Sequence, residues 1–146
     1  MKYLVFIVAA LFCTSALASG RAGPTPPQAQ AWFVSDIARE AAQYVGSGKF
    51  TRLPGAWCAD AVSAWLIATG HRPLSNRMAA SALAYGPRSS GNPGDLAVFV
   101  GRRGYAYHVG VVVASLGNSV EVVSGNWGHR VGRATLPRNS LIFIRT

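Results

Sequence analysis

The chain has 146 residues, 50% of them hydrophobic, with 14 Lys and Arg against 5 Asp and Glu and a formal net charge of +9. That length suits one modest domain with a real core and is too short for two. The basic balance favours anionic partners such as nucleic acid, a membrane surface or an acidic cell-envelope polymer, with plain solubility charge as the other reading. The arginines are scattered from Arg39 to Arg145 without a dense run, which argues against a nucleic-acid-binding arm.

The first residues, MKYLVFIVAALFCTSALASG, combine Lys2, an apolar stretch from Leu4 to Phe12 and the small-x-small triplet Ala16-Leu17-Ala18. This is the pattern of a secretory signal peptide spanning residues 1–18, and it implies a periplasmic or secreted protein. The apolar stretch is short for a membrane anchor, and no later window predicts a membrane span. Leu11 and Phe12 precede Cys13 where lipid attachment would require small residues, so a lipoprotein reading carries little weight. Cleavage leaves about 128 residues, the size of a single domain, and the loss of Lys2 takes the charge from +9 to +8. It also leaves Cys58 as the lone cysteine, which excludes an internal disulfide. A single thiol in an oxidising compartment invites a chemical explanation, set against that of a buried structural thiol.

Residues 19–28, SGRAGPTPPQ, read as a flexible lead-in, and the folded domain is expected over 29–146. From Ala31 to Val45, apolar residues at Val34, Ile37, Ala38, Ala41, Ala42 and Val45 predict an amphipathic helix ended by Gly46 and Gly48. Pro54 and Gly55 mark a loop. A second helix is expected from Trp57 to Thr69, capped by Gly70, with Cys58 in its first turn and on the face of Ala61, Val62, Trp65, Leu66 and Thr69. A third, shorter helix is expected from Asn76 to Tyr85, with Ser75 or Asn76 as its cap.

After Pro93 the β-branched runs GDLAVFV, YHVGVVVA, SVEVVSG and LIFIR predict an antiparallel sheet. Gly101-Arg102-Arg103-Gly104 and Leu116-Gly117-Asn118 supply hairpin turns. Helices first and strands second make an α+β layout.

A thiol at a helix N-terminus faces the positive end of the macrodipole and free N–H groups, which favour thiolate and can hold an oxyanion. Its base must come from His71, His108 or His129. His71 lies at the far end of the helix, about 18 Å from Cys58, and His129 falls in a turn. His108 opens the most apolar strand, where packing by itself would favour an aliphatic residue. A catalytic imidazole needs an orienting partner. If the hairpin closes through Leu116-Gly117-Asn118, Ser115 pairs with Ser119 and His108 lies opposite Asn126, whereas a two-residue loop turns Asn126 away. Ser124 is a second polar neighbour on that face, and Glu121 points the other way. Trp57 and Trp127 flank the site and line a substrate cleft or pack in the core. Asp60 points to a different face from Cys58 and supports the helix start or bonds a loop. Arg102 and Arg103 contact substrate carboxylates or are solvated.

The strings WCADAVSAWLIATG, PGDLAVF, HVGVVV and SGNWG, in that order, resemble the CHAP and NlpC/P60 superfamily of papain-like cell-wall hydrolases, nearest its CHAP-like branch. The resemblance runs from about Gly55 to the C-terminus. It implies a papain-like fold, with N-terminal helices packed on a C-terminal antiparallel sheet, and gives the roles of nucleophile, base and orienting residue to Cys58, His108 and Asn126. Trp57, Trp127 and Ser124 would then contact substrate. The implied reaction is hydrolysis of peptide or amide bonds of peptidoglycan through an acyl-enzyme, without metal or other cofactor. Some relatives carry an acidic residue near the position of Ser124, and NlpC/P60 members often show Asp-Cys-Ser where this chain has Trp57-Cys58-Ala59. The expected partner is peptidoglycan, with no nucleic acid and no assembly beyond a monomer. Two other readings stand beside it: a catalytically inactive peptidoglycan-binding domain on the same fold, and a basic secreted structural protein with a buried thiol.

Overall fold

The computed structural model describes residues 35–49 and 51–146. The expected signal peptide, the lead-in and the start of the first helix lie outside these residues. What is described is an α+β fold: two α-helices, two short 3₁₀ helices and one five-stranded antiparallel sheet. Among the described residues no helix is long and apolar enough to cross a membrane.

Helix α1 (Asp36–Gln43) buries Ile37, Ala38 and Ala41, and Gly46 at φ 89° turns the chain out of it. Helix α2 spans Cys58–Ala68, with Trp57 as its N-cap residue and Gly70 at φ 80° just past its end. Its mid-section is apolar on most sides because it is wedged between α1, a 3₁₀ turn and the sheet, burying Cys58, Ala59, Ala61, Val62, Trp65 and Leu66. The expected third helix contracts to the 3₁₀ turn Ala79–Ala84. Asn76 does not cap it as an α-helix. Its side chain accepts the N–H of Met78 at 2.8 Å, a local turn that uses up the residues meant to begin a helix.

The strands are β1 (Leu96–Val100), β2 (Ala106–Leu116), β3 (Ser119–Trp127), β4 (Arg130–Pro137) and β5 (Leu141–Ile144), in the spatial order β4-β3-β2-β1-β5. The sequence reading missed β4. Its alternation of exposed and half-buried residues carries few β-branched side chains, as suits an edge strand with one wet face. The chain after α1 partly covers that edge: Gly46 N–H donates to Val131 O and Val131 N–H to Ser47 O.

Alternation along the strands separates two apolar faces. Leu96, Val98, Val109, Val111 and Val123 pack beneath α2 with Cys58, Trp57 and Trp65. Ala97, Phe99, Val112, Val120, Val122 and Phe143 form a second cluster, joined at its margin by Trp127.

The β2–β3 hairpin closes through the two residues Gly117-Asn118, not the three expected, with Leu116 opposite Ser119. Gly117 has φ 66°, the left-handed first position of a II′ turn. That loop would turn Asn126 away from His108, but an extra residue, Val113, interrupts the pairing between Val112 and Ala114. The bulge shifts the register back, and Val111 pairs with Val123. Extended along the chain, this pairing brings the start of β2 to the end of β3, as the three-residue loop would have done.

Helix and sheet approach most closely at Gly125. A Cβ there would fall 2.5 Å from Ala61 Cβ and 2.7 Å from the Trp57 ring. Gly125→Ala is therefore expected to push α2 off β3 and lower stability by about 1–3 kcal/mol, the usual cost of overpacking a tight core. Urea denaturation measures it, and a midpoint equal to wild type would contradict the close contact.

Candidate active site

Cys58 opens α2, and its side chain is 4% exposed in the cluster beneath the helix. Burial pushes its thiol up from the ordinary cysteine value. The main-chain N–H groups of Val109, Ala59 and Cys58 itself pull the other way and do not overcome it, and the Asp60 carboxylate adds a smaller upward push. The expectation that position at a helix start favours thiolate is thereby corrected. Desolvation of the charged sulfur outweighs the helix-end amides.

His108 leaves β2 one residue before Val109, whose amide reaches the sulfur. Its cross-strand partner is Phe99, and the two rings meet edge to face with centroids 5.1 Å apart. Trp127 meets the imidazole edge to face at 5.6 Å and Phe99 at 5.7 Å, so the three rings form a triangle. Alternation places His108 with Phe99 and Val112 on the sheet face away from α2, whereas Val109 faces α2 and Cys58. Thiol and imidazole thus approach the same stretch of β2 from its two sides. The paired residues of the β2–β3 ladder run only as far as Val111↔Val123, short of that level.

Nε2 of His108 lies 2.7 Å from Ser124 Oγ. Asn126, the residue expected to orient the ring, lines the groove beside it and has no hydrogen bond to it among the described residues. The reason lies in the backbone. Between Ser124 and Trp127 the pairing with β4 slips, and Asn126 adopts φ 60°, so β3 no longer alternates regularly there. The last regular inward position, Ser124, supplies the polar group instead.

The contacts of Ser124 favour one tautomer of the ring. The hydroxyl is fully buried and also lies 2.6 Å from Val109 O and 3.1 Å from Gly125 O. A hydroxyl has one proton, and carbonyl oxygens only accept. The 2.6 Å contact makes Val109 O the best acceptor of that proton, which leaves the Ser124 oxygen to accept from His108. Nε2 carries the proton, and Nδ1 keeps the basic lone pair.

Phe99, Tyr107, His108, Asn126, Trp127 and Gly128 line a groove of about 270 Å³. Of the other residues picked from the sequence, Trp127 is in this groove. Trp57 is 1% exposed and packs in the core, and Ser124 is fully buried, so neither is open at the surface as the expected substrate contacts would be. Asp60 holds Arg77 through a two-pronged contact of 2.8 and 2.7 Å, and Arg77 also donates to Pro54 O at 3.2 Å, tying the loop before Cys58 to α2. His129, at φ 65° beside Gly128 at φ 62°, forms the two-residue β3–β4 turn. Tyr107 was missed. β1 and β2 slip in register around it, since Phe99 pairs with His108 but Val100 with Ala106. This bulge brings Tyr107 to the groove together with its neighbour His108, and sequence periodicity does not reveal a one-residue bulge. Among the described residues no cluster of His, Cys, Asp and Glu is arranged to hold a metal ion.

No protein-family model matches the chain, and no curated protein matches it in sequence.

Burial also lowers the His108 pKa from its ordinary 6.5, and it raises that of Cys58 from 9.0. The folded ring resists protonation, so its contribution to stability is present above about pH 6.5 and is lost as pH falls through the folded value. The folded thiol resists ionisation, so its contribution is present below about pH 9 and is lost as pH rises through the folded value. Urea midpoints are expected to be level between these limits and to decline on both sides. Replacing His108 with Gln should flatten the acid limb and Cys58 with Ala the alkaline limb; unchanged limbs would refute the assignment.

Proposed function

We propose that the protein is a cysteine amidase or endopeptidase that hydrolyses peptide or amide bonds of bacterial peptidoglycan. The observation that carries this reading is the His108–Ser124–Val109 chain of contacts. The ring is held by Nε2 and its Nδ1 is left basic; Val109, whose carbonyl accepts from Ser124, turns its own N–H to the Cys58 sulfur. The raised thiol and lowered imidazole describe a neutral pair. The sulfur is then activated as it attacks, by giving its proton to Nδ1, and no thiolate–imidazolium pair has to wait in the resting site.

For that transfer, sulfur and Nδ1 must meet at the mouth end of β2 and β3, beyond the paired ladder. The tetrahedral oxyanion would lie against the N–H groups at the start of α2. His108 then returns the proton to the leaving amine, and water releases the acyl group from sulfur. The papain-like fold and cell-wall substrate suggested by the motif order, and the signal peptide and export suggested by residues 1–18, belong to the same proposal.

A second reading is a peptidoglycan-binding domain without catalysis. It is favoured by the burial of Cys58 and by the opposite faces from which thiol and ring reach β2.

Turbidity loss of a purified cell-wall suspension separates the two. Cys58→Ala is expected to abolish it, and His108→Ala to lower it about 10²–10⁴-fold, the usual worth of a general base. Ser124→Ala should cost about tenfold, one hydrogen bond's worth of orientation, and Asn126→Ala less. Undiminished clearing by the Cys58→Ala protein would end the enzyme reading, while binding to the wall without clearing by the wild type would establish the second.

A further inference from the structure

The end of the sheet that carries the groove also carries three exposed arginines. Val100 pairs with Ala106, and Trp127 with Arg130, so the β1–β2 turn and the β3–β4 turn project from the same end. The first turn carries Arg102 and Arg103, the second His129 with Arg130 next to it at the start of β4, and all four are exposed. The chain has five carboxylates, and each is engaged elsewhere. Asp36 pairs with Arg39, Asp60 with Arg77 and Glu121 with Arg133; Glu40 accepts from Tyr44 and Gln43, and Asp95 from the N–H of Asn92. Among the described residues, Arg102, Arg103 and Arg130 have no carboxylate partner.

Between the two turns lies an aromatic surface that folding has not buried. Tyr105 is 62% and Tyr107 56% exposed, with ring centroids 6.2 Å apart, and the series continues through Phe99 to Trp127 at 6.1 and 5.7 Å. A Cβ on Gly101 would lie 3.0 Å from the Tyr105 ring, so the turn carrying the two arginines packs directly against this surface. Exposed aromatic rings beside unpaired guanidinium groups are what a ligand with both an apolar body and a negative end requires.

We propose that this end of the sheet binds a short peptide bearing free carboxylates, the aromatic groove taking its apolar atoms and Arg102, Arg103 and Arg130 its charge. The choice of a peptide rests on the hydrolase reading; the demand for a carboxylate comes from charge complementarity at the groove mouth. The site thereby selects wall stem peptides whose carboxylates are free over those in which they are amidated.

Titration of the Cys58→Ala protein with a synthetic stem peptide, followed by the fluorescence of Trp127 and its neighbours, tests this directly. The free-acid peptide is expected to bind at least about tenfold more tightly than the same peptide with every carboxylate amidated, the worth of one charge-assisted hydrogen bond. Added salt should erase most of that difference, because exposed charges are screened. Arg102→Gln with Arg103→Gln, and separately Arg130→Gln, should reduce the preference, whereas Tyr107→Ala should weaken both peptides alike. Circular dichroism of each variant confirms that its fold is kept. Equal affinity for the two peptides, or an undiminished preference in the arginine variants, overturns the proposal. The hydrolase reading fails separately: wild-type protein that prefers the free acid without cleaving it leaves the carboxylate site standing, and cleavage of both peptides at equal rates removes the site while keeping the enzyme.

Discussion

A single buried hydroxyl governs the arrangement around His108. Ser124 is fully enclosed and surrounded by two carbonyl oxygens and a ring nitrogen, and its one proton goes best to the Val109 carbonyl. The same group therefore satisfies the Val109 carbonyl, accepts the imidazole N–H and decides which ring nitrogen is basic. A buried polar group is tolerated only when its bonding is complete, and here completeness and orientation of the ring are one requirement.

One glycine makes room for the Ser124 side chain and a second for helix α2. At Gly110 a Cβ would fall 2.9 Å from the Ser124 Cβ and 2.6 Å from a Val122 methyl carbon; at Gly125 it would strike α2. Without side chains at these positions the strand and the helix close around Ser124 and Cys58 and exclude water. The same closure sets the ionisation of the site, raising the thiol and lowering the imidazole. Burial thus builds the site and at the same time disfavours charge on both its thiol and its imidazole. Outside this interior the groove mouth is exposed and carries arginines, so the basic residues and the thiol occupy different dielectric surroundings.

Much of the framework was legible along the chain because it depends on local rules. Residues 57–69 announced α2 to within a residue at each end, since the apolar spacing stops at a glycine suited to a left-handed cap. The antiparallel sheet and its α+β order followed from the change of period after Pro93. The expected 76–85 helix failed because Asn76 bonded its own neighbourhood, and β4 was missed because an edge strand need not look apolar. Bulges were beyond reach. The Val113 bulge compensated for a misjudged turn, while irregularity at the end of β3 displaced Asn126 and left Ser124 as the partner of His108. Pairing slips of this kind arise from the fit between neighbouring strands and carry no signature in either strand by itself.

Periodicity and composition determined that this chain would place one cysteine at a helix start, one histidine on an apolar strand and an excess of arginine over carboxylate. These are properties of residue order, and no folding is needed to read them. Tertiary structure decided which polar group holds the ring, that burial keeps the thiol neutral, that Trp57 serves the core while Trp127 faces the groove, and that three arginines without a carboxylate partner among the described residues stand at the groove end. Each of those outcomes depends on which atoms are excluded from water and which oxygen has a proton to give, and both are fixed only when distant segments pack together.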